Sequence, residues 1–298
     1  MKDGAHRVEF RKDYCLNKGF REQLYPLFDR VFGISPNVLA DYYGRGFWDE
    51  TYRPYTLFES NCAIANVSWF DLPILVAGRP ISAAGIQSVM THPDYRGRGL
   101  MKNLFEVMLR DIDSSVEMSL LFTENPMLYI PFGFRVLPET YFMTRYEHSG
   151  QCKEKSFRRL APFDPVNTEV VKELLRIRVA ASEHFFPLHY APSFFLNLYD
   201  HQAQERLYYA SDVDALLVFS VKDDTLEIYD LISPNPLTLS DICIRVPVSF
   251  SRVAVHFNPD RFMEWDWIPA SFQTTSSLMI RGHINVPEYL KYPETAKF

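Results

Sequence analysis

The stretch VMTHPDYRGRGLMKNLFEVML, from Val89 to Leu109, joins a short apolar strand to an amphipathic helix through Arg96-Gly97-Arg98-Gly99. The first N–H groups of a helix lack intrahelical partners, and the helix dipole places about half a positive charge there. Glycine lets a ligand approach the backbone closely, and the arginines add charged, forked donors. The junction therefore predicts an anion-binding loop, best suited to a phosphate or pyrophosphate.

Two common phosphate-binding patterns do not match this junction. The P-loop pattern G-x-x-x-x-G-K-[ST] does not occur, and the dinucleotide pattern G-x-G-x-x-G fails because Lys102 holds the position of the third glycine. A plain helix start with exposed arginines is the alternative, but the preceding strand and Pro93 favour a cofactor loop. A second Gly-Arg-Gly, residues 44–46, follows no strand and precedes Trp48-Asp49. It predicts only a loop, on the acceptor side of the site.

The strand, Thr91-His92-Pro93 and the loop Arg96–Met101 together resemble the acetyl-CoA loop of GNAT-superfamily N-acetyltransferases, commonly written [RQ]-x-x-G-x-[GA]. Gly99 aligns best with the fixed glycine of that pattern, while Leu100 and Met101 stand where small residues are usual. This spacing is more similar to the branch typified by the mycobacterial Eis acetyltransferases. A second family motif, Tyr-x-x-x-Gly-Phe, is matched downstream by the segment LYIPFGF, residues 128–134.

The resemblance implies acetyl-CoA as the cofactor and assigns residues to it. The backbone of Val89 and Thr91 is expected to pair with the pantetheine amides, and the N–H groups of residues 96–101 with the pyrophosphate. Residues near Glu124 and Asn125 are expected to border the pantetheine arm, where two parallel strands splay. The predicted cofactor-binding residues are Val89, Met90, Thr91, Arg96, Gly97, Arg98, Gly99, Leu100, Met101 and Asn125.

The resemblance also implies three catalytic residues, Tyr129, Glu124 and Phe298. Tyr129 is expected to protonate the departing thiolate as a general acid; its alternative role is packing under neighbouring phenylalanines. Glu124 is a candidate base, with Glu59 as a second carboxylate. Because Eis enzymes place their own C-terminal carboxylate in the active site, the carboxylate of Phe298 is a further candidate, and a frayed tail is the alternative. A backbone N–H near Val89 or Met90 is expected to polarise the carbonyl.

The order of predicted elements indicates an α/β (α+β) fold with two GNAT-like domains, each a mixed, mostly antiparallel sheet flanked by helices. The first, residues 1–147, is expected to begin with a strand from His6 to Tyr14 and to close with one or two strands in residues 134–147. The polar stretch His148–Lys155 is the predicted linker. The second domain, residues 148–298, carries Pro-Asn-Pro-Leu (residues 234–237) in place of the glycine loop, so no second CoA site is expected.

Composition excludes several classes of function. The net charge of −6 argues against a nucleic-acid partner. Cys15, Cys62, Cys152 and Cys243 are far apart in sequence, so neither a metal site nor a disulfide framework is predicted. No apolar run is long enough to span a bilayer, and the first ten residues lack the apolar core of a signal peptide. We therefore expect a cytoplasmic protein without a membrane partner.

Two hypotheses for the function remain at this stage. The first is an acetyl-CoA-dependent N-acetyltransferase that moves an acetyl group to a primary amine by direct attack in a ternary complex. The acceptor would be a small-molecule or peptide amine, and the oligomeric state stays open. The second is a non-catalytic acyl-CoA-binding or regulatory module; the presence of Tyr129 and Gly133 favours the first hypothesis.

Overall fold

The computed structural model describes residues 8–151 and 156–298. His6 and Arg7 of the predicted first strand, and the part of the predicted linker that holds Cys152, lie outside the described residues. In the first half the elements are β1 Val8–Lys12, α1 Lys18–Phe32, α2 Pro36–Gly44, β2 Arg53–Glu59, β3 Cys62–Asp71, β4 Ile74–Val76, β5 Arg79–Ile81, β6 Ala83–Thr91, α3 Leu100–Asp113, β7 Met118–Thr123, β8 Arg135–Val136 and β9 Thr140–His148.

The second half repeats this arrangement of helices and strands. Its elements are β10 Arg158–Arg159, α4 Pro165–Ile177, β11 Phe185–Pro187, α5 Ala191–Asn197, α6 His201–Glu205, β12 Leu207–Ala210, β13 Ala215–Lys222, β14 Thr225–Ile232, α7 Leu239–Cys243, β15 Phe250–Val255, β16 Ile268–Ser271 and β17 Ser277–Arg281.

Two seven-stranded sheets dominate the fold and share one pattern. The first has the order β1-β2-β3-β6-β7-β17-β8 and the second the order β10-β12-β13-β14-β15-β9-β16. In each sheet the fourth and fifth strands are parallel, β6 with β7 and β14 with β15, and the other neighbours are antiparallel. The predicted fold class, mixed and mostly antiparallel sheets flanked by helices, is confirmed.

The two sheets exchange one strand each. Strand β17 comes from the end of the chain yet lies in the first sheet, between β7 and β8. Strand β9 follows β8 in sequence yet lies in the second sheet, between β15 and β16. The expectation that residues 134–147 close the first sheet is therefore wrong for β9. The division at residues 147 and 148 stays a prediction, and the sheets are interlocked across it.

Helix α3 follows directly from β6 and packs on the first sheet. Its buried positions Leu104, Phe105, Met108, Leu109 and Ile112 recur at helical spacing and form one core cluster with the strands. The helix begins at Leu100, after Gly97 and Gly99, which both take positive φ angles. This placement leaves residues 92–99 as the loop that joins the end of β6 to the helix.

None of the helices in the described ranges is long and apolar enough to cross a membrane.

Candidate active site

The loop between β6 and α3 is open on its ligand-facing side. Gly97 and Gly99 have φ of +76° and +73°, and a Cβ built on either would meet nothing within 4 Å. Gly99 is the N-cap residue of α3, and no side chain in the described structure caps the helix there. Helices α1, α2 and α4, by contrast, are capped by Asn17, Ser35 and Asp164. The first N–H groups of α3 are therefore available to an anion.

Both arginines of the loop are exposed, and their side chains donate hydrogen bonds to backbone carbonyls. The Nε of Arg96 donates to the carbonyl of Thr91 at 3.4 Å, and Nη2 of Arg98 donates to the carbonyl of Asp94 at 3.0 Å. The Arg98 guanidinium lies over the ring of Tyr95, 4.6 Å from its centroid. Within the described residues neither arginine forms a salt bridge, so their charge is free to bind phosphate oxygens.

The parallel strands β6 and β7 separate halfway along their length. Their pairing runs from Ala83 and Met118 to Ile86 and Leu121 and goes no further. Just beyond this point Ser88 has a φ of +55°, and the register between β3 and β6 shifts. A bulge of this kind turns the rest of a strand away from its neighbour. The result is an opening between the two strands.

The remaining backbone of β6 presents alternate residues to this opening. The N–H of His92 donates to the carbonyl of Ile64 on the β3 side, at 2.9 Å. Because backbone groups of a strand point alternately to its two sides, those of Thr91 and Val89 face the opening, and those of Met90 face β3. The side chain of Met90 is buried in the core cluster on α1. The backbone groups of Val89 and Thr91 therefore face the opening, and their pairing with pantetheine stays a prediction.

A cavity of about 720 Å³ occupies the opening. Five predicted residues line it together: Val89, Glu124, Asn125, Tyr129 and Phe298. Sequence reasoning missed the other lining residues that matter for its shape, which are Phe28, Phe32, Gln87, Ser88, Thr123, Leu196 and Ser276. Leu196, Ser276 and Phe298 come from the second half of the chain and reach the cavity through the fold, and no local motif signals Leu196 or Ser276.

Tyr129 serves packing and lines the cavity at the same time. Its side chain is 6% exposed, and its ring centroid lies 5.5 Å from that of Phe105 and 6.3 Å from that of Phe134. Burial raises the pKa of Tyr129 to about 12, opposed by a hydrogen bond with Thr123. The phenol therefore keeps its proton at neutral pH.

The candidate carboxylates differ in where they lie. Glu124 and Asn125 are exposed at the mouth of the cavity, and the Asn125 N–H donates to Oγ1 of Thr123 at 3.0 Å. Glu59 does not line the cavity, and its carboxylate accepts a hydrogen bond from the Tyr95 hydroxyl. Of the two side-chain carboxylates predicted as base, only Glu124 is at the cavity.

Phe298 is held in place by aromatic and polar contacts. Its ring meets those of Phe70 and Phe122 edge-on, with centroids 4.9 and 5.4 Å apart. The Nδ2 of Asn197 donates to the carbonyls of Thr295 and Lys297 at 3.1 and 2.9 Å. These contacts hold residues 295–298 against α5.

A smaller cavity of about 60 Å³ adjoins the first, and Gln87 and Ser88 line both. Trp48, Asp49 and Tyr52 form part of its wall. Asp49 accepts hydrogen bonds from the N–H and Oγ1 of Thr51, both at 2.7 Å, and burial raises the pKa of its carboxyl above the ordinary value. The sequence predicts the neighbouring loop, residues 44–46, on the acceptor side but does not predict Asp49 as a lining residue. The aromatic neighbours of Asp49 in sequence, such as Trp48, are the feature that could have indicated a binding wall.

The second sheet carries no comparable loop after its fourth strand. Helix α7 is five residues long, and its N-terminus is closed by a capping box in which Thr238 and Asp241 bond each other's backbone N–H groups. The N–H groups that α3 leaves open are thus satisfied within α7 itself. Residues 234–237 precede this closed end.

No group of histidine, cysteine and acidic side chains in residues 8–151 and 156–298 is arranged to hold a metal ion. Cys15, Cys62 and Cys243 are free thiols, and Cys152 lies outside the described residues.

An open glycine loop at the end of β6, beside a splayed parallel pair, is the arrangement that the resemblance to acetyl-CoA-dependent acetyltransferases implies. Residues 15–137 match the family model of the acetyltransferase (GNAT) domain. The chain therefore carries a GNAT acetyltransferase domain, as the sequence motifs predict, and acetyl-CoA is the cofactor of this enzyme class. A comparison with curated proteins found no match.

Solved structures share the fold over nearly the whole chain. A GCN5-related N-acetyltransferase from Kribbella flavida is 16% identical, with a TM-score of 0.51, covering 92% of this chain and 71% of that one. A GCN5-related N-acetyltransferase from Anabaena variabilis is 14% identical, with a TM-score of 0.53 and coverage of 92% and 72%. Eis1 from Mycobacterium abscessus is 13% identical, with a TM-score of 0.57 and coverage of 91% and 73%. The likeness therefore extends across both sheets.

Proposed function

We propose that this protein transfers an acetyl group from acetyl-CoA to a primary amine by direct attack in a ternary complex. One observation carries the proposal: a single cavity at the splayed strands joins Val89, Glu124, Asn125, Tyr129 and Phe298, next to the open loop at the end of β6. A cavity of this kind, with a few polar groups that converge on it, is the usual form of a small-molecule site.

The residues present fit acetyl-CoA. The uncapped N–H groups of residues 97–101, with Arg96 and Arg98, would hold the pyrophosphate. The backbone of Val89 and Thr91 would pair with the pantetheine amides in the manner of a neighbouring strand, and Asn125 would border the arm on the β7 side. Bound there, the cofactor supplies a thioester whose carbonyl carbon is the electrophile.

The chain's own groups then assist the transfer, in which a carbon–nitrogen bond forms and the carbon–sulfur bond breaks. The Val89 N–H faces the cavity and would polarise the thioester carbonyl. The backbone groups of Met90 face β3 and would not reach that carbonyl. Tyr129 would give its hydroxyl proton to the thiolate, because its phenol stays protonated and lines the same cavity. The phenol would then be reprotonated from solvent.

The proton on the attacking amine needs a base. Glu124 and the carboxylate of Phe298 are the two candidates that the cavity supports, since both residues line it. Glu124 is exposed at the mouth, whereas Phe298 is packed among aromatic rings on the side of the second half. We propose that one of these two carboxylates accepts the proton, directly or through water.

The acceptor is proposed to be a small-molecule or peptide amine that enters from the side of Trp48 and Asp49. The small cavity there meets the main one at Gln87 and Ser88, so an acceptor that extends from one into the other would present its amine to the thioester. The carboxyl of Asp49 gives this wall a group that would accept hydrogen bonds from an amine.

An acceptor screen that follows release of CoA thiol from acetyl-CoA tests the proposal. We expect thiol release with at least one class of amine, and a fall in kcat of about 10²–10⁴-fold for Tyr129→Phe, as for loss of a general acid. Affinity for acetyl-CoA, measured by calorimetry, should not change, since the hydroxyl acts on the departing sulfur. Tyr141→Phe, on the second sheet and outside the cavity, is the control.

The opposite results would separate the alternatives. Tight acetyl-CoA binding without thiol release for any amine would favour a non-catalytic acyl-CoA-binding or regulatory module. Full activity of Tyr129→Phe would reject the general-acid role while leaving the transferase itself in place.

A further inference from the structure

The end of helix α1 lines the candidate active-site cavity with apolar side chains. Phe28, Val31 and Phe32 belong to its last two turns, and Ile34 follows directly after the Gly33 cap. The side chain of Phe32 is 49% exposed, and its ring centroid lies 6.3 Å from that of Phe28. An aromatic side chain that lines a cavity and keeps half of its surface open leaves apolar area for a ligand to cover.

The wall of the adjoining small cavity is aromatic, and its hydroxyl groups already have partners. The ring of Trp48 meets those of Tyr42 and Tyr52 edge-on, with centroids 5.9 and 5.4 Å apart. The Tyr42 hydroxyl donates to the carbonyl of Pro192 at 2.9 Å, and the Tyr52 hydroxyl accepts from Oγ of Ser68 at 2.7 Å. This wall therefore offers a ligand ring faces and edges more than free hydroxyls.

The two cavities meet between apolar and polar side chains. Phe28 and Leu196 line both of them, together with the polar pair at residues 87–88. Val89, whose N–H is proposed to polarise the thioester, follows that pair directly. An acceptor whose nitrogen lies beside the polar pair would therefore place its carbon skeleton against Phe28 and Phe32.

The α1 side of the lining contributes neither a charge nor a hydrogen-bonding side chain. The acidic groups lie elsewhere: Glu124 and the carboxylate of Phe298 are the two groups proposed as the base, and Asp49, whose pKa burial raises above its ordinary value, lines the small cavity. A polyamine would place ammonium groups against α1 without a carboxylate to pair them. A sugar amine would bury hydroxyl groups there without hydrogen-bond partners.

We propose that the acceptor is an arylalkylamine, a primary amine that a short alkyl chain joins to an aromatic ring. The inference rests on the proposed function and names its substrate class. The ring packs against Phe28 and Phe32 at the end of α1, and the amine reaches the thioester beside residues 87–88. The nitrogen bonds to the acetyl carbon as the carbon–sulfur bond breaks, and its proton passes to the base. The products are the N-acetyl amide and the CoA thiol.

A matched pair of amines tests this assignment: 2-phenylethylamine, and ethylamine, which lacks only the ring. We expect kcat/KM for acetyl transfer, followed by thiol release, to be higher for 2-phenylethylamine by about tenfold or more, because burial of the ring adds binding free energy. Spermidine and glucosamine should react no better than ethylamine. The assignment is overturned if any of these three amines reacts as well as 2-phenylethylamine.

Binding without turnover separates this inference from the proposed function. Calorimetric titration of the full chain in saturating CoA, which has no acetyl group to transfer, should show 2-phenylethylamine bound more tightly than ethylamine, again by about tenfold. If this preference is found but acetyl-CoA releases no thiol with any amine, the proposed transfer fails and the aryl site stands. If 2-phenylethylamine binds no better than ethylamine while another amine releases thiol, the aryl site is refuted and the transfer stands.

Phe32→Ser tests the position of the ring, with Phe10→Ser as the control, since Phe10 is 45% exposed on β1 and lines neither cavity. Phe32→Ser should weaken the binding of 2-phenylethylamine by about fivefold or more and leave that of ethylamine unchanged, whereas Phe10→Ser should change neither. If Phe32→Ser does not fold, Phe32→Leu, which removes the ring and keeps an apolar side chain, should give a smaller change in the same direction. Wild-type affinity for 2-phenylethylamine in the Phe32 variant would contradict the proposed ring position.

Discussion

Gly97 and Gly46 have the same backbone conformation and equally open surroundings. Their φ angles are +76° and +71°, and an added Cβ meets nothing within 4 Å at either position. Alanine at either site therefore costs only the strain of a left-handed backbone, on the order of 1 kcal/mol. The two differ in their neighbouring elements, since Gly97 precedes an uncapped helix after β6, and Gly46 follows the short helix α2.

We expect Gly97→Ala to lower the affinity for acetyl-CoA by about tenfold or more, because the methyl group would project into the space where the phosphates approach the backbone. Gly97→Ala and Gly46→Ala should lower the melting temperature by similar amounts. Gly46→Ala should leave the affinity for acetyl-CoA unchanged. Calorimetric titration with acetyl-CoA and thermal unfolding of both variants measure the difference. Equal affinities in the two variants would mean that the loop does not bind the pyrophosphate.

The pKa of Tyr129 predicts how catalysis depends on pH. Burial raises this pKa to about 12 from the ordinary 10.0, so the native state favours the neutral phenol. That contribution to stability is complete below about pH 10 and is lost as the pH rises towards 12. We expect kcat of the wild type to show no descending limb up to about pH 10, measured by thiol release. A descending limb centred well below pH 10 would contradict Tyr129 as the general acid.

Local motifs predicted some of the site residues and not others. Tyr129 and residues 96–101 lie in short patterns that fix a loop and a helix start, so their position follows from neighbours in sequence. Asp49, Gln87 and Ser276 reach the cavities through long-range packing. A single Asp, Gln or Ser in a polar loop or strand has no pattern that separates a lining residue from a solvated one.

At the scale of elements, α3 and α7 occupy the same place in the two sheets, each after the fourth strand. Helix α3 starts behind two glycines with positive φ and no side-chain cap, whereas α7 is closed by Thr238 and Asp241. The sequence predicted this contrast from Arg-Gly-Arg-Gly and Pro-Asn-Pro-Leu, because capping and backbone conformation depend on a few adjacent residues. Only the first helix end is therefore open to an anion.

The segment 293–298 brings Phe298 to the candidate active site, where it joins Leu196 and Ser276 of the second half. If the carboxylate of Phe298 is the base, one glycine added after Phe298 should lower kcat by about 10²-fold or more. Acetyl-CoA affinity and melting temperature should stay unchanged, because the ring contacts and the Asn197 hydrogen bonds do not involve that carboxylate. Unchanged turnover would assign the role to Glu124, and Glu124→Gln is the reciprocal variant.

At the scale of the whole molecule, the sequence predicted strands but not their partners. Residues 140–148 and 277–281 both have the apolar alternation or apolar run of a strand, and nothing local tells which sheet they join. The structure places each in the sheet formed mainly by the other half. A buried salt bridge between Lys291 and Glu139, at 2.9 Å, ties the segment after β17 to the segment before β9. A salt bridge thus joins the two segments at the point where the sheets exchange β9 and β17.

This interlocking predicts that neither half folds alone. A chain of residues 1–148 lacks β17, whose Leu278, Met279 and Ile280 are buried and pair with β7 and β8. Without that strand, β7 would expose an unpaired edge and its apolar side chains. We expect this chain to show no cooperative thermal transition, whereas the full chain should unfold in one.

A peptide of residues 271–285 added in trans should restore a transition to the truncated chain, and a peptide of the same composition in scrambled order should not. A cooperative transition in residues 1–148 without the peptide would show that the first sheet closes by itself, with β9 taking the position of β17.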